Sequence, residues 1–251
     1  MTGCLCIAGL GPGDERLVTP EVTEALREAT DVVGYSTYVA RVAPRANLAF
    51  HASDNGDEIA RATKALEMAE AGRKIVVVSS GDPGVFAMAA AVFEALEAQP
   101  ERWRDLDIRV LPGVTAMLAA AARVGAPLGH DCCMINLSDN LKPWSLVERR
   151  LRLDVEADFA IAIYNPRSNA RPEGFAMALD ILRDECPDDR PIIFARAVYA
   201  PEESIEVTTL SQASAEMADM RTLVIVGSTS TRLIERPGRA PFVYTPRSAP
   251  T

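Results

Sequence analysis

Residues 5–29 read "LCIAGLGPGDERLVTPEVTEALREA": a short apolar strand, a glycine-rich turn, then the start of a helix. This is how a βαβ unit opens, and the turn has the outline of a dinucleotide-binding fingerprint. The fingerprint needs a third glycine three positions after its second, where helix packs closely on strand. Here that position is Asp14, and Pro12 stiffens the loop. The acidic residue expected at the end of the second strand is also missing, because "DVVGYSTY" carries Asp31 ahead of that strand. The fold is the α/β kind, and the turn is not a nicotinamide site.

Outward from this stretch, β-rich runs alternate with helical patterns along the whole chain. "CLCIAG" is read as the first strand, followed by a helix that starts at Thr19-Pro20, an N-cap with proline in the first turn. "TDVVGY", "KIVVVSS" and "DIRVLPG" are further strands. The spacings of Ile59, Ala62, Leu66 and Ala69, and of Val85, Ala89, Val92, Phe93 and Leu96, predict helices between them. "VTAMLAAAARVG" is a helix closed by Gly125. The pattern then restarts: "CMINLSD", "FAIAIYN" and "PIIFARA" read as strands, with helices at 144–153 and 174–186. "SIEVTTL" and "RTLVIVGS" lie close enough in sequence to add antiparallel strands. The expectation is two consecutive α/β/α domains, 1–125 with a mainly parallel sheet and 126–242 with a mixed one, followed by a tail at 243–251.

Composition narrows the function class. Apolar residues make up 48% and charged residues 24%, as in a soluble globular protein, and the longest apolar run, Val85–Phe93, has nine residues, far short of a membrane span. The first residues lack a secretory signal. Five cysteines without a CxxC pair point to buried thiols in a reducing cytoplasm rather than a zinc site or disulfide framework. His51 and His130 have no partner spacing for metal ligation, so no metal is expected. A net charge of −9 argues against a nucleic-acid or membrane surface, but leaves room for a small anionic substrate held by a few arginines.

Three turns fall at the carboxyl edge of the first sheet: "GLGPGD", "SSGDPGVF" and "LPGVTA". Ligands of parallel sheets sit at that edge, and glycine lets backbone amides approach them closely. Asp82 is read two ways, as an acceptor for a ribose and as a cap for the following helix.

"GLGPGDERLVTPEV", "DVVGYSTYV", "SSGDPGVFAMAAAVFE", "LPGVTAMLAAAARVGAPLGHDCCMINLSDNLKPW" and "IYNPRSNARPE" resemble, in order and spacing, the tetrapyrrole (corrin/porphyrin) methylases over residues 4 to 230. "LGHD…INLSD…PW" and "YNPRS" resemble the branch that methylates a precorrin at carbon 17 and contracts the ring during cobalamin biosynthesis. The resemblance implies a homodimer with S-adenosylmethionine folded into a cleft between the domains. It maps cofactor contacts onto Pro12, Ser80, Gly81, Asp82, Val85, Thr115, Ala116, Tyr164, Asn165, Ala197 and Gly227. Related enzymes place an aspartate where Ser36 stands, so that base does not carry over. Asp14, Ser36, Asp139 and Tyr164 are the candidate acids and bases for contraction, each with a loop-structuring alternative. Lys142, Arg167 and Arg171 are expected to grip substrate carboxylates. Alternatives in view are a cobalt-containing or other precorrin substrate, a methylase of RNA or protein, and a non-catalytic tetrapyrrole carrier.

Overall fold

A computed structural model describes residues 3–54 and 56–248. The chain forms two compact units, Met1–Thr115 and Ala116–Thr251. The division falls ten residues earlier than the sequence pattern places it. The helix of "VTAMLAAAARVG" belongs with the second unit because its buried residues pack on strands there.

In the first unit, strands β1 (Cys4–Gly9), β2 (Asp31–Tyr35), β3 (Ala49–Ser53), β4 (Lys74–Ser79) and β5 (Asp107–Leu111) alternate with helices α1 (Pro20–Glu28), α2 (Ser36–Val39), α3 (Glu58–Glu70), α4 (Met88–Ala98) and α5 (Pro100–Trp103). The sheet order is β3-β2-β4-β1-β5, with every pair parallel. Strands β1, β2 and β4 are buried almost throughout, which is why they read as continuous apolar runs. Leu5, Ile7, Val33, Ile75 and Val77 face α3 and α4 on one side, while Ala8, Val32, Val76 and Val78 face Val22 on the other. Helix α1 starts as expected, with Thr19 Oγ1 accepting from Val22 N at 3.3 Å and proline in the first turn.

Asp31, fully buried at the start of β2, fixes the amino edge. Its carboxylate accepts from Arg73 Nε and Nη2 at 2.5 and 2.7 Å and from Thr30 Oγ1 at 2.6 Å, and lies 2.8 Å from His51 Nε2. Burial alone would raise its pKa; the hydrogen bonds from Arg73, Thr30 and His51 outweigh that and hold it below the ordinary carboxylate value.

Two details differ from the sequence pattern. Helix α4 begins at Met88 rather than Val85, because Phe86 takes a left-handed backbone (φ 51°) that breaks helical continuity. Its buried face is Met88, Ala89, Ala91, Val92 and Ala95, so Phe93 is exposed, as is Ile59 on α3.

The second unit contains α6 (Ala116–Val124), β6 (Gly125–Ala126), β7 (Cys132–Asn136), α7 (Trp144–Glu156), β8 (Ala160–Tyr164), α8 (Gly174–Glu185), β9 (Pro191–Arg196), β10 (Ser204–Thr209), β11 (Thr222–Val226), β12 (Arg232–Arg236) and β13 (Arg239–Tyr244). Its main sheet runs β10-β9-β11-β8-β7. The β7–β8 pair is parallel; β11 is antiparallel to β8 and β9, and β10 is antiparallel to β9, which makes the sheet mixed. Phe175 and Phe194 meet edge to face at 5.9 Å within a core of Leu151, Ile161, Leu179 and Val224.

A small sheet, β12-β13-β6, replaces part of the expected tail. Val243 is fully buried, and Thr245 is tied in by Thr245 N to Ala126 O at 3.0 Å and Thr245 Oγ1 to Pro127 O at 2.6 Å. Ordered structure therefore includes residues 243–245 of the segment read as tail, while 249–251 lie outside the described residues.

Candidate functional site

The first unit brings its three special turns together. Gly11 and Gly81 bridge reciprocally, Gly11 N to Gly81 O at 3.2 Å and Gly81 N to Gly11 O at 3.0 Å. Both have left-handed backbones (φ 65° and 63°), which glycine adopts without steric cost. Asp82 joins the third turn: its Oδ2 accepts from Gly113 N at 3.0 Å and its Oδ1 from Gly84 N at 2.8 Å. It caps no helix, since Ala87 precedes α4; it is a staple between loops. A side chain at Gly9 would stand 2.5 Å from Gly81 O, and one at Gly113 would stand 2.2 Å from the same oxygen. The three turns of this cradle thus meet backbone against backbone.

Pro12, Ser80 and Val85 sit half-buried in these turns, and Thr115 is buried at the end of the third. Arg41, which sequence reasoning missed, holds the first turn. Its guanidinium donates to Leu10 O at 2.5 Å and Gly11 O at 3.1 Å. No periodicity in the sequence signals such a contact across 30 residues.

Two candidates for proton transfer are committed to loop structure here. Asp14 caps the single-turn 3-10 helix Glu15–Leu17 and pairs with Arg16, with the closest contact at 2.6 Å. Ser36 Oγ donates to Ser53 O at 3.2 Å. A hollow of about 540 Å³ lined by Thr30, Asn47, Leu48, Ala49, Gly72 and Arg73 lies at the other edge of this sheet, behind the Asp31 cluster.

In the second unit, Tyr164 ends β8 in register with Asn136 at the end of β7. Tyr164 Oη accepts from Met117 N at 3.0 Å, satisfying an amide in the first turn of α6, just after Ala116. Asn165 follows with a left-handed backbone (φ 50°), and its Nδ2 donates to Asn136 Oδ1 at 3.1 Å. The same Asn136 oxygen accepts from Ser138 N at 2.9 Å, while Asn136 O accepts from Lys142 Nζ at 2.6 Å. Asn136, absent from the sequence reading, is therefore the hub of this strand end.

Burial, reinforced by Arg150 and Arg171, pushes the Lys142 pKa below the ordinary lysine value. Arg171 Nη1 donates to Leu137 O at 3.5 Å, and its Nε is 4.0 Å from Asp139 Oδ1. Asp139, Trp144, Arg171, Gly174 and Met177 line a cavity of about 160 Å³. Arg167 donates to Pro172 O at 3.4 Å, on the exposed side of the same loop.

Ala197 lies at the carboxyl end of β9, at the same edge as Tyr164, with φ 48°. Tyr199 is also left-handed (φ 62°), and the loop is clamped by Arg123, which stacks on Tyr199 at 3.7 Å and pairs with Glu203 at 2.9 Å.

Gly227 does not join this group. Strand β11 is antiparallel to β8 and β9, so Gly227 emerges beside Pro191, with its N 2.9 Å from Pro191 O. Along the strand it is roughly 20 Å from Ala197. Its lack of a side chain has a packing reason, because a Cβ there would stand 2.7 Å from Thr231 Cβ. Among the described residues no group of three or more His, Cys, Asp and Glu side chains gathers in a metal-binding arrangement. His130 lies 3.5 Å from Asp131.

Residues 5–214 match the family described as Tetrapyrrole (Corrin/Porphyrin) Methylases. The chain is 52% identical over 247 residues to a precorrin-3B C(17)-methyltransferase of Sinorhizobium sp, covering 98% of this chain and 97% of that one. It is 40% identical over 228 residues to a probable cobalt-factor III C(17)-methyltransferase of Salmonella typhimurium, covering 90% and 93%. A crystal structure of the methyltransferase CobJ superposes with a TM-score of 0.92 at 62% identity, covering 97% of this chain and all of that one. The glycine cradle, the mixed second sheet and this likeness along nearly the whole length lead to one assignment: the chain belongs to the tetrapyrrole (corrin/porphyrin) methylases.

Proposed function

We propose that the protein transfers a methyl group from S-adenosylmethionine to carbon 17 of precorrin-3B and promotes contraction of the ring to precorrin-4, a step of cobalamin biosynthesis. The observation that carries this reading is the 52% identity to a precorrin-3B C(17)-methyltransferase over almost all of both chains. The three converged turns lie at the carboxyl edge of a parallel sheet, the edge at which such sheets hold ligands, and Gly9 and Gly113 let them pack this closely because a Cβ at either would collide with Gly81 O. Bound there, S-adenosylmethionine supplies an electrophilic methyl on sulfur, transferred by in-line displacement.

The first unit's part is placement. Peptide groups around Pro12, Ser80–Asp82, Val85 and Thr115 hold the donor in one orientation, and such pre-alignment supplies about 7–11 kcal/mol of the barrier reduction. Asp82 already accepts from two loop amides, so its role in the cradle is to hold the turns in place. In the second unit, Ala116, Tyr164, Asn165 and Ala197 are the cofactor contacts that the family resemblance assigns. Lys142, Arg167 and Arg171 take substrate carboxylates. The ion pair of Asp139 with Arg171 is stretched to 4.0 Å. Of the four acid–base candidates it keeps the carboxylate most available to move a proton during contraction.

The metal-free substrate is favoured over the cobalt-containing one by the identities, 52% against 40%. The protein acts in the cytoplasm as a homodimer, with no nucleic-acid or membrane partner. Incubation with S-adenosylmethionine and either precorrin-3B or cobalt-factor III, followed by product masses, tests the reading. It expects methylated, contracted product from the first, and product from neither would overturn it. Light scattering tests the dimer.

A further inference from the structure

Most arginines of the first unit answer a carboxylate: Arg16, Arg27, Arg73, Arg102, Arg104 and Arg109 each form an ion pair. Arg41 and Arg61 do not. Arg61 on α3 is only 5% exposed, yet it donates to Ser53 Oγ at 2.8 Å, to Asp54 O at 2.5 Å and, more weakly, to Met88 Sδ at 3.3 Å. Among the described residues Arg41 donates to the carbonyls of Leu10 and Gly11, and Glu15 acts on it only at longer range. No carboxylate among the described residues forms an ion pair with either, whereas Arg45, the other unpaired arginine here, is exposed to water.

A buried guanidinium without a counter-charge is costly, and carbonyl dipoles offset only part of that cost. Location sharpens the point. Ser53 ends β3, Leu10 and Gly11 follow β1, and Met88 opens α4, so both cations lie at the carboxyl edge, where ligands of parallel sheets bind. The amino end of α4 adds positive potential beside Arg61 instead of cancelling it.

Between these charges sit Tyr35 and Tyr38, edge to face at 5.4 Å, and the exposed Ser36. Ser53 links the two sides, since its carbonyl accepts from Ser36 Oγ and its hydroxyl accepts from Arg61 Nε. Burial and Tyr35 push the Tyr38 phenol up, whereas Arg41 and Arg61 pull it the other way, so both guanidiniums act on this spot.

We propose that Arg41 and Arg61 form a fixed cationic floor around Tyr35, Ser36 and Tyr38, and that this floor is a subsite for a ligand carboxylate. Two carboxylate sources are in reach under the proposed function, the side chains of the tetrapyrrole and the amino-acid end of the methyl donor. The subsite lies in the first unit, apart from Lys142, Arg167 and Arg171. Arg61, only 5% exposed, contributes as a buried charge, and Ser36, whose hydroxyl already donates to Ser53 O, marks the exposed side of the subsite.

The test uses the intact protein and needs no turnover. Uroporphyrin, a tetrapyrrole octacarboxylate, is titrated by fluorescence at several salt concentrations against wild type, Arg61→Met, Arg61→Lys and Ser36→Asp, with its octamethyl ester as the uncharged control. S-adenosylhomocysteine is titrated by calorimetry against the same proteins. Arg61→Met is expected to weaken one ligand about tenfold and flatten its salt dependence, and Arg61→Lys to restore most of the loss. Loss confined to uroporphyrin assigns the carboxylate to the tetrapyrrole; loss confined to S-adenosylhomocysteine assigns it to the donor. If Arg61→Met does not fold, Ser36→Asp, which sets a competing carboxylate at an exposed position, carries the test with the same expected loss. Folded variants that bind both ligands like wild type, or a wild type that binds neither, would overturn the subsite. Wild-type turnover of precorrin-3B judges the proposed reaction separately.

Discussion

Replacing Gly113 with alanine puts one methyl group at the tightest backbone contact of the cradle. The new Cβ would stand 2.2 Å from Gly81 O and 2.8 Å from Gly9 O, and since real Cβ contacts are almost never under 3.0 Å, the loops must open by at least 0.8 Å. Gly113 is not left-handed, so alanine meets no backbone penalty and the effect is steric. Overpacking of this kind costs about 1–3 kcal/mol. Drawing Gly113 N away from Asp82 also weakens a hydrogen bond to a carboxylate, worth about 1.5–3 kcal/mol. With partial relaxation the sum is about 3 kcal/mol, which in a chain of this size lowers Tm by about 6–12 °C. A misplacement approaching 1 Å also reduces turnover by about 100-fold. Scanning calorimetry reads the first effect, and titration with S-adenosylhomocysteine shows whether the cradle still binds. Gly84→Ala is the control, because its Cβ would meet only Asp82 Oδ1, at 3.2 Å. A Gly113→Ala protein that melts and binds like wild type would refute the claim that backbone crowding shapes the cofactor surface.

Four further outcomes are expected. Asp31→Asn leaves half-exposed Arg73 without its anion and should cost about 2–3 kcal/mol by urea unfolding at neutral pH. Because the folded-state pKa of Asp31 is depressed, its contribution is full above the ordinary carboxylate value and is lost as pH falls through the lower folded one; the wild-type-to-mutant difference should therefore shrink below about pH 4. Tyr164→Phe leaves Met117 N without its phenolic acceptor and should cost about 1 kcal/mol, read by thermal melts, while weakening S-adenosylhomocysteine binding. Ala197→Gly relieves a left-handed alanine and should raise stability by up to about 1 kcal/mol in the same melts. Asn136→Asp keeps both acceptor bonds, to Ser138 N and Asn165 Nδ2, whereas Asn136→Leu keeps neither. Calorimetry with S-adenosylhomocysteine should therefore show near-normal binding in the first and about tenfold weaker binding in the second.

Elements whose cause is local were legible in the sequence. The buried strands β1, β2 and β4 announce themselves because a sheet covered on both faces needs uninterrupted apolar runs. Helix α1 shows its start because Thr19 and Pro20 act within one turn. Strand β3 did not, since at a sheet edge "AFHAS" is never more than partly buried and carries a histidine. The β12–β13 hairpin had a usable signal that went unread, two short β-rich runs about Pro237-Gly238, with Gly238 left-handed. Gly227 was misplaced for a topological reason. Nothing in "RTLVIVGS" says that the strand runs against β8 and β9, and that direction alone decides which edge its last residue reaches.

The candidate site divides along the same line, and the arginines show why. Gly11 and Gly81 could be singled out because a left-handed turn constrains the residue that makes it, so the requirement is written at that position. Arg61 and Arg73 carry no such mark: each is a cation at one end of an amphipathic stretch, in "EIARATK" and "AGRKIV". What distinguishes them is the partner. Arg73 faces Asp31 across 42 residues of chain, and Arg61 faces a hydroxyl, a carbonyl and a thioether. A missing counter-charge is a property of the folded surroundings and leaves no motif. In a chain with net charge −9, acidic side chains are abundant enough to pair every arginine. That none pairs with Arg41 or Arg61 is therefore a matter of placement, and placement at the ligand edge of the sheet is what an incoming carboxylate would require.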